Sequence, residues 1–168
     1  MIKLVDLLKE VENQQYTIYC DMDGVLVDFD QGYKDLTGIT TKEADTQGKE
    51  SFWEPIAKAG AGFWIRLKWM PDGQQLWNYI NQYNPILLSA PSKEESSRIG
   101  KRVWVKRNIP GAKLILRPAS QKQQFSGENQ ILIDDRVDNI EQWRNKGGIG
   151  ILHTSSSDTI KQLKELGL

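Results

Sequence analysis

Five short apolar runs constrain the fold of this chain most strongly. They are YTIYC (16–20), PILLS (85–89), AKLIL (112–116), QILI (130–133) and GIGIL (148–152). These runs lack the strict polar alternation of a strand with one face in water, and such runs are typical of strands that are buried on both faces of a parallel sheet. The sequence therefore predicts a sheet of five parallel strands.

Helical patterns lie around these runs. Two of them are apolar stripes, one in residues 4–11 and one at Leu76, Ile80 and Tyr83 after Asp72. Two begin at capping boxes: Ser92 with Glu95 opens a helix to about Asn108, and Asp138 with Glu141 opens a helix that ends at Gly147 and Gly148. The last has a serine-rich N-cap before Ile160 and Leu163. Strands that alternate with helices predict a three-layer, doubly wound α/β fold. Its ligand site is expected at the carboxyl ends of the strands.

One segment interrupts the alternation of strands and helices. Residues 31–70 contain several aromatic side chains and no strand pattern, so we expect a small, mainly helical cap inserted after the first strand and folded over the sheet edge. A chain of 168 residues is long enough for one compact domain with such an insertion. The predicted organisation is a single domain with a core of residues 1–30 and 71–168.

Composition excludes several classes of protein. Lys and Arg total 22 and Asp and Glu total 22, so the overall charge provides no attraction to nucleic acid or to a membrane surface. Cys20 is the single cysteine, so no internal disulfide forms, and a buried structural thiol is expected. No apolar stretch approaches the roughly 20 residues that span a bilayer. These features predict a cytoplasmic protein with a small-molecule partner.

Polar side chains follow the first strand. Asp21 and Asp23 stand two residues apart, and Gly24 comes next. Two carboxylates at this spacing suit phosphoryl transfer, since one attacks phosphorus while the other handles the proton of the leaving group. Glycine allows the backbone N–H groups to approach a phosphate. An ordinary solvated turn is the alternative, because Asp and Gly are common in turns.

A second acidic pair favours the catalytic interpretation. Asp134 and Asp135 end the fourth strand, where they would repel the first pair unless a cation lay between them. Magnesium prefers oxygen ligands of this kind. Ser89 ends the second strand and offers a hydroxyl for a phosphate oxygen, and Lys122 offers an ammonium group. Singly, such residues are usually ordinary surface, so the interpretation depends on the whole set.

The segments CDMDGVLVDF, ILLSAP, RPASQKQQF and ILIDDRVDN resemble, in this order, the four motifs of the haloacid dehalogenase superfamily of phosphatases, which have a Rossmann-like fold. The resemblance implies that Asp21 is the nucleophile, which forms a phosphoaspartate, and that Asp23 is the general acid and base. It implies that magnesium binds a carboxylate oxygen of Asp21, the backbone carbonyl of Asp23 and the Asp134 and Asp135 pair, with Asp135 favoured as the direct ligand. Ser89 and Lys122 would contact phosphate.

A narrower resemblance concerns the substrate. DGVLVDF, SFWEP, FWIRLKWMPDG and LIDDR are similar to segments of the 5'(3')-deoxyribonucleotidases. This resemblance implies that aromatic side chains enclose a nucleobase, and the matching positions are Phe29, Phe52, Trp53 and Trp64. A small core within the cap is the alternative for these aromatics. The chain departs from the family in its shorter cap, in Glu54 after the Phe-Trp pair, and in serine instead of threonine at position 89.

Several alternatives remain open at the level of sequence. The substrate is a nucleoside monophosphate, another small phosphate ester or a phosphorylated nucleic-acid end, or the chain is a binding module without activity. A basic cluster follows Ser89 along the chain and is interpreted as a solvated helix face; its members are Arg98, Lys101, Arg102, Lys106 and Arg107. A structural or surface role is expected for His153, the single histidine.

Overall fold

A computed structural model describes residues 15–168, so the helix predicted within residues 4–11 lies outside the described part of the chain. Five parallel strands form one sheet with the order β3-β2-β1-β4-β5. The strands are β1 (Thr17–Cys20), β2 (Ile86–Ser89), β3 (Lys113–Leu116), β4 (Gln130–Asp134) and β5 (Ile149–Leu152). The predicted strands are confirmed, each to within one residue at either end.

Helices connect the strands. They are α1 (Phe29–Thr37), α2 (Thr41–Asp45), α3 (Lys49–Ala59), α4 (Ala61–Arg66), α5 (Gly73–Ile80), α6 (Glu95–Asn108), α7 (Val137–Asn145) and α8 (Ser156–Glu165). Two 3-10 segments, Asn81–Tyr83 and Ala119–Phe125, complete the connections. None of the described helices is long and apolar enough to cross a membrane.

The strands carry apolar side chains on both of their faces because both faces of the sheet are covered by helices. Ile18 and Cys20 of β1 point into one core, which also contains Trp104 of α6 and Leu163 of α8. The intervening Tyr19 points the other way, into a second core. That second core contains Trp143 of α7. The arrangement is the predicted three-layer α/β fold.

The order of the strands determines where a ligand site forms. From β1 the chain moves outward through β2 to β3, and it then crosses to the other side of β1 to form β4 and β5. The direction of winding therefore reverses between β1 and β4, and a crevice opens at their carboxyl ends. Asp21 follows β1 directly, and Asp134 is the last residue of β4.

Helices α1 to α4 lie between β1 and β2, in the segment that was predicted to form a cap and is called the cap below. The backbone entering and leaving the cap is joined by two hydrogen bonds, from Asp28 N to Lys68 O (2.9 Å) and from Met70 N to Leu26 O (2.8 Å). Its interior is aromatic: the rings of Tyr33 and Phe52 stack with centroids 4.7 Å apart. This pairing and packing attach the cap firmly to the turn after β1.

Both predicted capping boxes are wrong. Helix α6 begins at Glu95, and Ser92 Oγ accepts a hydrogen bond from Glu94 N instead of capping the first turn. Helix α7 begins one residue before Asp138 and has no side-chain N-cap. In both places the chain leaves a strand end that is held by tertiary contacts, so local capping patterns do not set the start of the helix. The serine N-cap of α8 is confirmed, since Ser155 accepts from Asp158 N.

Candidate active site

The turn after β1 fixes the first acidic pair at the sheet edge. Asp21 N donates to Ile133 O of β4 (2.9 Å), and the side chain Oδ1 of Asp21 accepts from Met22 N (2.8 Å). The chain then turns back at Gly24, whose φ of +78° lies in the left-handed region that favours glycine. Asp21 is consequently almost buried and has a defined orientation in the crevice.

Lys122 connects the nucleophile candidate to the second acidic pair. Its Nζ lies 3.1 Å from Asp21 Oδ1 and 2.7 Å from Asp134 Oδ2. Burial alone would lower the pKa of Lys122, but the carboxylates of Asp21 and Asp134 outweigh burial and raise the pKa. The buried ammonium group therefore stays charged and offsets negative charge at this edge of the sheet.

Asp134 and Asp135 occupy different environments. Asp134 is fully buried and saturated with donors: Lys122 Nζ, Arg136 N (2.9 Å) and Asn139 Nδ2 (3.0 Å). Asp135 is exposed at the crevice, and partial loss of water, followed by repulsion from Asp21 and Asp134, raises its pKa to about 7. Sequence reasoning missed Asn139, whose amide helps hold Asp134.

The carboxylates fit a divalent cation. Asp21, Asp134 and Asp135 each offer one oxygen, and these oxygens lie within 4.8 Å of one another. Oxygen donors are the ligands that magnesium takes in proteins. Partial loss of water and the nearby carboxylates of Asp21 and Asp134 disfavour the negative charge of Asp135. A cation at this position would compensate that charge.

Ser89 lies at the carboxyl end of β2 and is fully buried. Its Oγ has no hydrogen-bond partner among the residues that the structure describes. A buried hydroxyl without a partner costs stability, so such a group usually has a partner that is absent from the protein alone. A phosphate oxygen is a suitable acceptor for it.

The interpretation of Lys101 as part of a solvated helix face is wrong. Lys101 is 2% exposed, and its Nζ lies 2.5 Å from Asp23 Oδ2 and 4.8 Å from the centre of the Trp64 ring. Burial raises the pKa of Asp23, and the charge of Lys101 partly opposes that rise. The other members of the basic cluster agree with the prediction, with Arg98 half-buried and Arg102, Lys106 and Arg107 exposed.

A helical period in the sequence would have identified Lys101. The buried positions of α6 are Ser97, Gly100, Lys101, Trp104 and Val105, which recur at intervals of three and four residues. This spacing places Lys101 on the same face as Trp104, not on the charged face. A lysine on the buried face of a helix needs a carboxylate partner, and Asp23 is that partner.

A cavity of about 940 Å³ opens between the cap and the strand ends. Its wall includes Asp21, Asp23, Lys122 and Asp135. Gly24 and the four aromatic side chains proposed to enclose a base also line it: Phe29, Phe52, Trp53 and Trp64. The structure therefore brings nearly all the predicted site residues together around one space. Ser89 is fully buried and is not among the lining residues, but it directly precedes the lining residue Ala90 in the chain.

The four aromatics differ in accessibility. Phe52 and Trp64 are buried at 9% and 2% exposure and belong to the main core, whereas Phe29 and Trp53 are half-buried. Trp53 packs edge-on against Phe52 with ring centroids 5.0 Å apart. Phe52 and Trp64 are largely covered by other residues of the protein, so Phe29 and Trp53 offer more surface to a ligand.

Two further predicted residues lie away from this cavity. The Cys20 thiol is buried, as expected, and burial together with the charges of Asp21 and Asp134 raises its pKa well above its usual value. His153 is buried at the end of β5, where its Nδ1 lies 2.8 Å from Thr159 Oγ1. Both residues therefore have structural roles.

No family model and no curated protein matches the sequence. Solved structures with a similar fold include a hydrolase from Streptococcus pneumoniae, with a TM-score of 0.56 and 14% identity over 89% of this chain and 99% of that one. A haloacid dehalogenase-like hydrolase from Bacteroides fragilis has a TM-score of 0.54 and 15% identity, over 81% and 86% of the two chains.

A third similar structure is a haloacid dehalogenase family hydrolase from Deinococcus radiodurans, which contains bound phosphate and sodium. Its TM-score is 0.51, with 13% identity over 84% of this chain and 83% of that one. At these identities the similarity concerns the fold and not the reaction. The chain thus has the fold of the haloacid dehalogenase-type hydrolases.

Proposed function

We propose that the protein is a magnesium-dependent phosphomonoester hydrolase that acts through a phosphoaspartate on Asp21. The observation that carries this proposal is the convergence of Asp21, Lys122 and Asp135 on one end of a single cavity. A carboxylate nucleophile, a buried cation and an acidic cation site are the groups that phosphoryl transfer requires. The bound phosphate in the Deinococcus radiodurans hydrolase of the same fold supports the assignment.

In the first step a carboxylate oxygen of Asp21 forms a bond to phosphorus, while the bond from phosphorus to the ester oxygen breaks. Asp23 donates a proton to that leaving oxygen, so an alcohol departs. Lys122 lies 3.1 Å from Asp21 Oδ1 and stabilises the negative charge beside the attacked phosphoryl group. Ser89 Oγ is available to donate to a phosphoryl oxygen.

The second step regenerates the carboxylate. Asp23, now ionised, accepts a proton from water as the water oxygen attacks phosphorus, and the bond from phosphorus to Asp21 breaks. Inorganic phosphate is released, and both aspartates return to their initial protonation states. Two carboxylates with divided roles therefore complete one hydrolysis without another nucleophile.

Magnesium would be held by a carboxylate oxygen of Asp21, the backbone carbonyl of Asp23 and the carboxylate of Asp135. When bound, it neutralises charge on the phosphoryl oxygens and the surrounding carboxylates. Asp134 would orient the site indirectly, because Lys122, Arg136 N and Asn139 already occupy its oxygens.

We further propose that the substrate is a deoxynucleoside monophosphate, in a 5'(3')-deoxyribonucleotidase type of reaction. The cavity has a size suited to a ligand of this kind, and the half-buried rings of Phe29 and Trp53 provide flat apolar surface for a base. Acidic side chains at its wall, Asp28, Asp30 and Asp45, disfavour a polynucleotide, whose many phosphates they would repel.

A substrate panel tests the proposal. Phosphate release is measured with magnesium for deoxynucleoside and ribonucleoside monophosphates, sugar phosphates, simple alkyl phosphates and a 5'-phosphorylated oligonucleotide. The proposal predicts the highest kcat/KM for deoxynucleoside monophosphates and loss of turnover with a chelator. Turnover of other esters without nucleotides would refute the substrate assignment alone, whereas no turnover of any ester would refute the phosphatase itself.

A further inference from the structure

Among residues 15–168, Lys101 is the one buried charged residue near the cavity that the reaction above does not use. It lies on α6, within the first two turns of a helix that runs from Glu95 to Asn108. Its Nζ forms an ion pair with Asp23 Oδ2 at 2.5 Å. Lys101 contacts the acid and base candidate, and it is not among the residues that line the cavity.

The position of Lys101 is set by close packing of α6 against the end of the cap. A Cβ atom at the preceding Gly100 would overlap the Trp64 side chain, so only glycine allows the two helices to lie this close. One turn further along, Trp104 Nε1 donates to Leu67 O (2.8 Å). Contacts on both sides therefore hold α6 in place, and they direct Lys101 between Trp64 and Asp23.

The carboxyl group of Asp23 depends on this single contact. Among the described residues, Lys101 is the one side chain that hydrogen-bonds to it, and the other oxygen, Oδ1, is buried without a partner. Asp134 differs sharply, because it accepts from Lys122, Arg136 N and Asn139. Without Lys101, no other hydrogen bond or ion pair in the described part of the chain would fix the rotation of the Asp23 carboxyl group.

We propose that Lys101 is a positioning residue for proton transfer: it holds the Asp23 carboxyl group in the orientation that reaches the leaving oxygen. Through the Trp64 ring beneath its ammonium group, Lys101 also links this orientation to the placement of cap helix α4. The inference rests on the proposed function, in which Asp23 donates the proton. Lys101 lies on helix α6, outside the four segments that resemble the motifs of the haloacid dehalogenase superfamily.

Leaving-group dependence separates positioning from a purely structural role. An alkyl alcohol is a poor leaving group and needs the proton, whereas 4-nitrophenolate leaves without one. We expect Lys101→Met to lower kcat/KM for an alkyl phosphate by on the order of a hundredfold, and for 4-nitrophenyl phosphate by less than about fivefold. Lys106→Met, on the exposed face of the same helix, is the control and should leave both values unchanged.

Two additional variants keep the test decisive. Lys101→Gln retains a hydrogen-bond donor toward Asp23, so we expect a smaller loss of kcat/KM that is still larger for the alkyl phosphate than for 4-nitrophenyl phosphate. This variant replaces Lys101→Met in the test if Lys101→Met does not fold. In an Asp23→Asn background, Lys101→Met should lower kcat/KM for 4-nitrophenyl phosphate no further, since the two residues act as a unit. Equal losses of kcat/KM for both esters in Lys101→Met, or additive losses in the double variant, would overturn the inference. Turnover by the wild type would still support the proposed function in that case. A wild-type protein that hydrolyses neither of these esters nor a deoxynucleoside monophosphate, which is itself an alkyl ester, would instead refute the proposed function, and the inference with it.

Discussion

Gly24 and Asp135 lie so close together that a Cβ atom at position 24 would overlap the Asp135 carboxylate. Gly24 also has a φ of +78°, which L-residues rarely adopt. We therefore expect Gly24→Ala to displace Asp135, to lower the free energy of unfolding by about 2–4 kcal/mol and to weaken magnesium binding. Chemical denaturation and titration calorimetry measure the two effects.

Gly111→Ala provides the matched control for the backbone cost. Gly111 has a similar φ of +88°, but open space surrounds the position of its missing Cβ. This variant should lose about 1–2 kcal/mol and bind magnesium normally. Equal magnesium affinity in Gly24→Ala and Gly111→Ala would contradict the proposed role of the contact between Gly24 and Asp135.

Substitution of the second acidic pair distinguishes a metal ligand from an orienting residue. Asp135→Asn should weaken magnesium binding by at least about tenfold and should stabilise the metal-free protein at pH 8, because it removes a carboxylate repelled by Asp21 and Asp134. Asp134→Asn should instead destabilise the fold by about 3–5 kcal/mol, since it leaves the buried Lys122 without its partner at 2.7 Å. The opposite pattern of stabilities would show that the two roles are reversed.

The accessible aromatic side chains make the substrate assignment testable. Trp53→Ala removes a half-buried ring, and we expect it to raise KM for a deoxynucleoside monophosphate by about tenfold while KM for a small alkyl phosphate is unchanged. Phe52→Ala should chiefly lower stability, by about 3–5 kcal/mol, because Phe52 is buried and stacks on Tyr33. An equal rise of KM for both substrates in Trp53→Ala would argue against base stacking.

His153 gives the stability a defined pH dependence. Burial lowers the pKa of His153 in the folded protein, although Asp72 and Asp158 oppose the shift. As the pH falls through about 6.5, the histidine therefore binds a proton in the unfolded chain before it does so in the folded protein. Between pH 6.5 and the lower pKa of the folded protein, His153 therefore lowers the free energy of unfolding by up to about 1.4 kcal/mol per pH unit. His153→Asn, which keeps a polar group able to form a hydrogen bond with Thr159, should flatten the unfolding free energy between pH 6.5 and pH 5. An unchanged slope would contradict this assignment.

The sheet was predictable because its strands are buried on both faces. Each apolar run, such as PILLS, which ends at Ser89, corresponds to one strand in the structure, and its alternation with helices predicted the winding. The acidic residues at the strand ends followed from the same topology, since parallel strands deliver their carboxyl ends to one edge. The main part of the site therefore depends on local sequence and on simple topological rules.

The remaining features depend on tertiary contacts that no local pattern contains. The start of α6 was misplaced because residues 90–92 line the cavity and do not form a free helix N-terminus. Lys101 is a partial exception, because the helical period of α6 indicates its burial. Its ion pair is nevertheless a tertiary contact, since Asp23 lies 78 positions away in the sequence. Helix packing within the cap likewise determines that Phe52 is buried in the core whereas the neighbouring Trp53 is accessible to a ligand.

The account is tested most directly by the turnover of Asp21→Asn, compared with Asp30→Asn at the exposed mouth of the same cavity. Asparagine preserves the shape of the side chain and its hydrogen bond from Met22 N, but it lacks the nucleophilic carboxylate. We predict that Asp21→Asn folds, retains part of its magnesium binding and releases phosphate at least about a thousandfold more slowly than the wild type. Phosphate release at the wild-type rate by Asp21→Asn would contradict the phosphoaspartate mechanism.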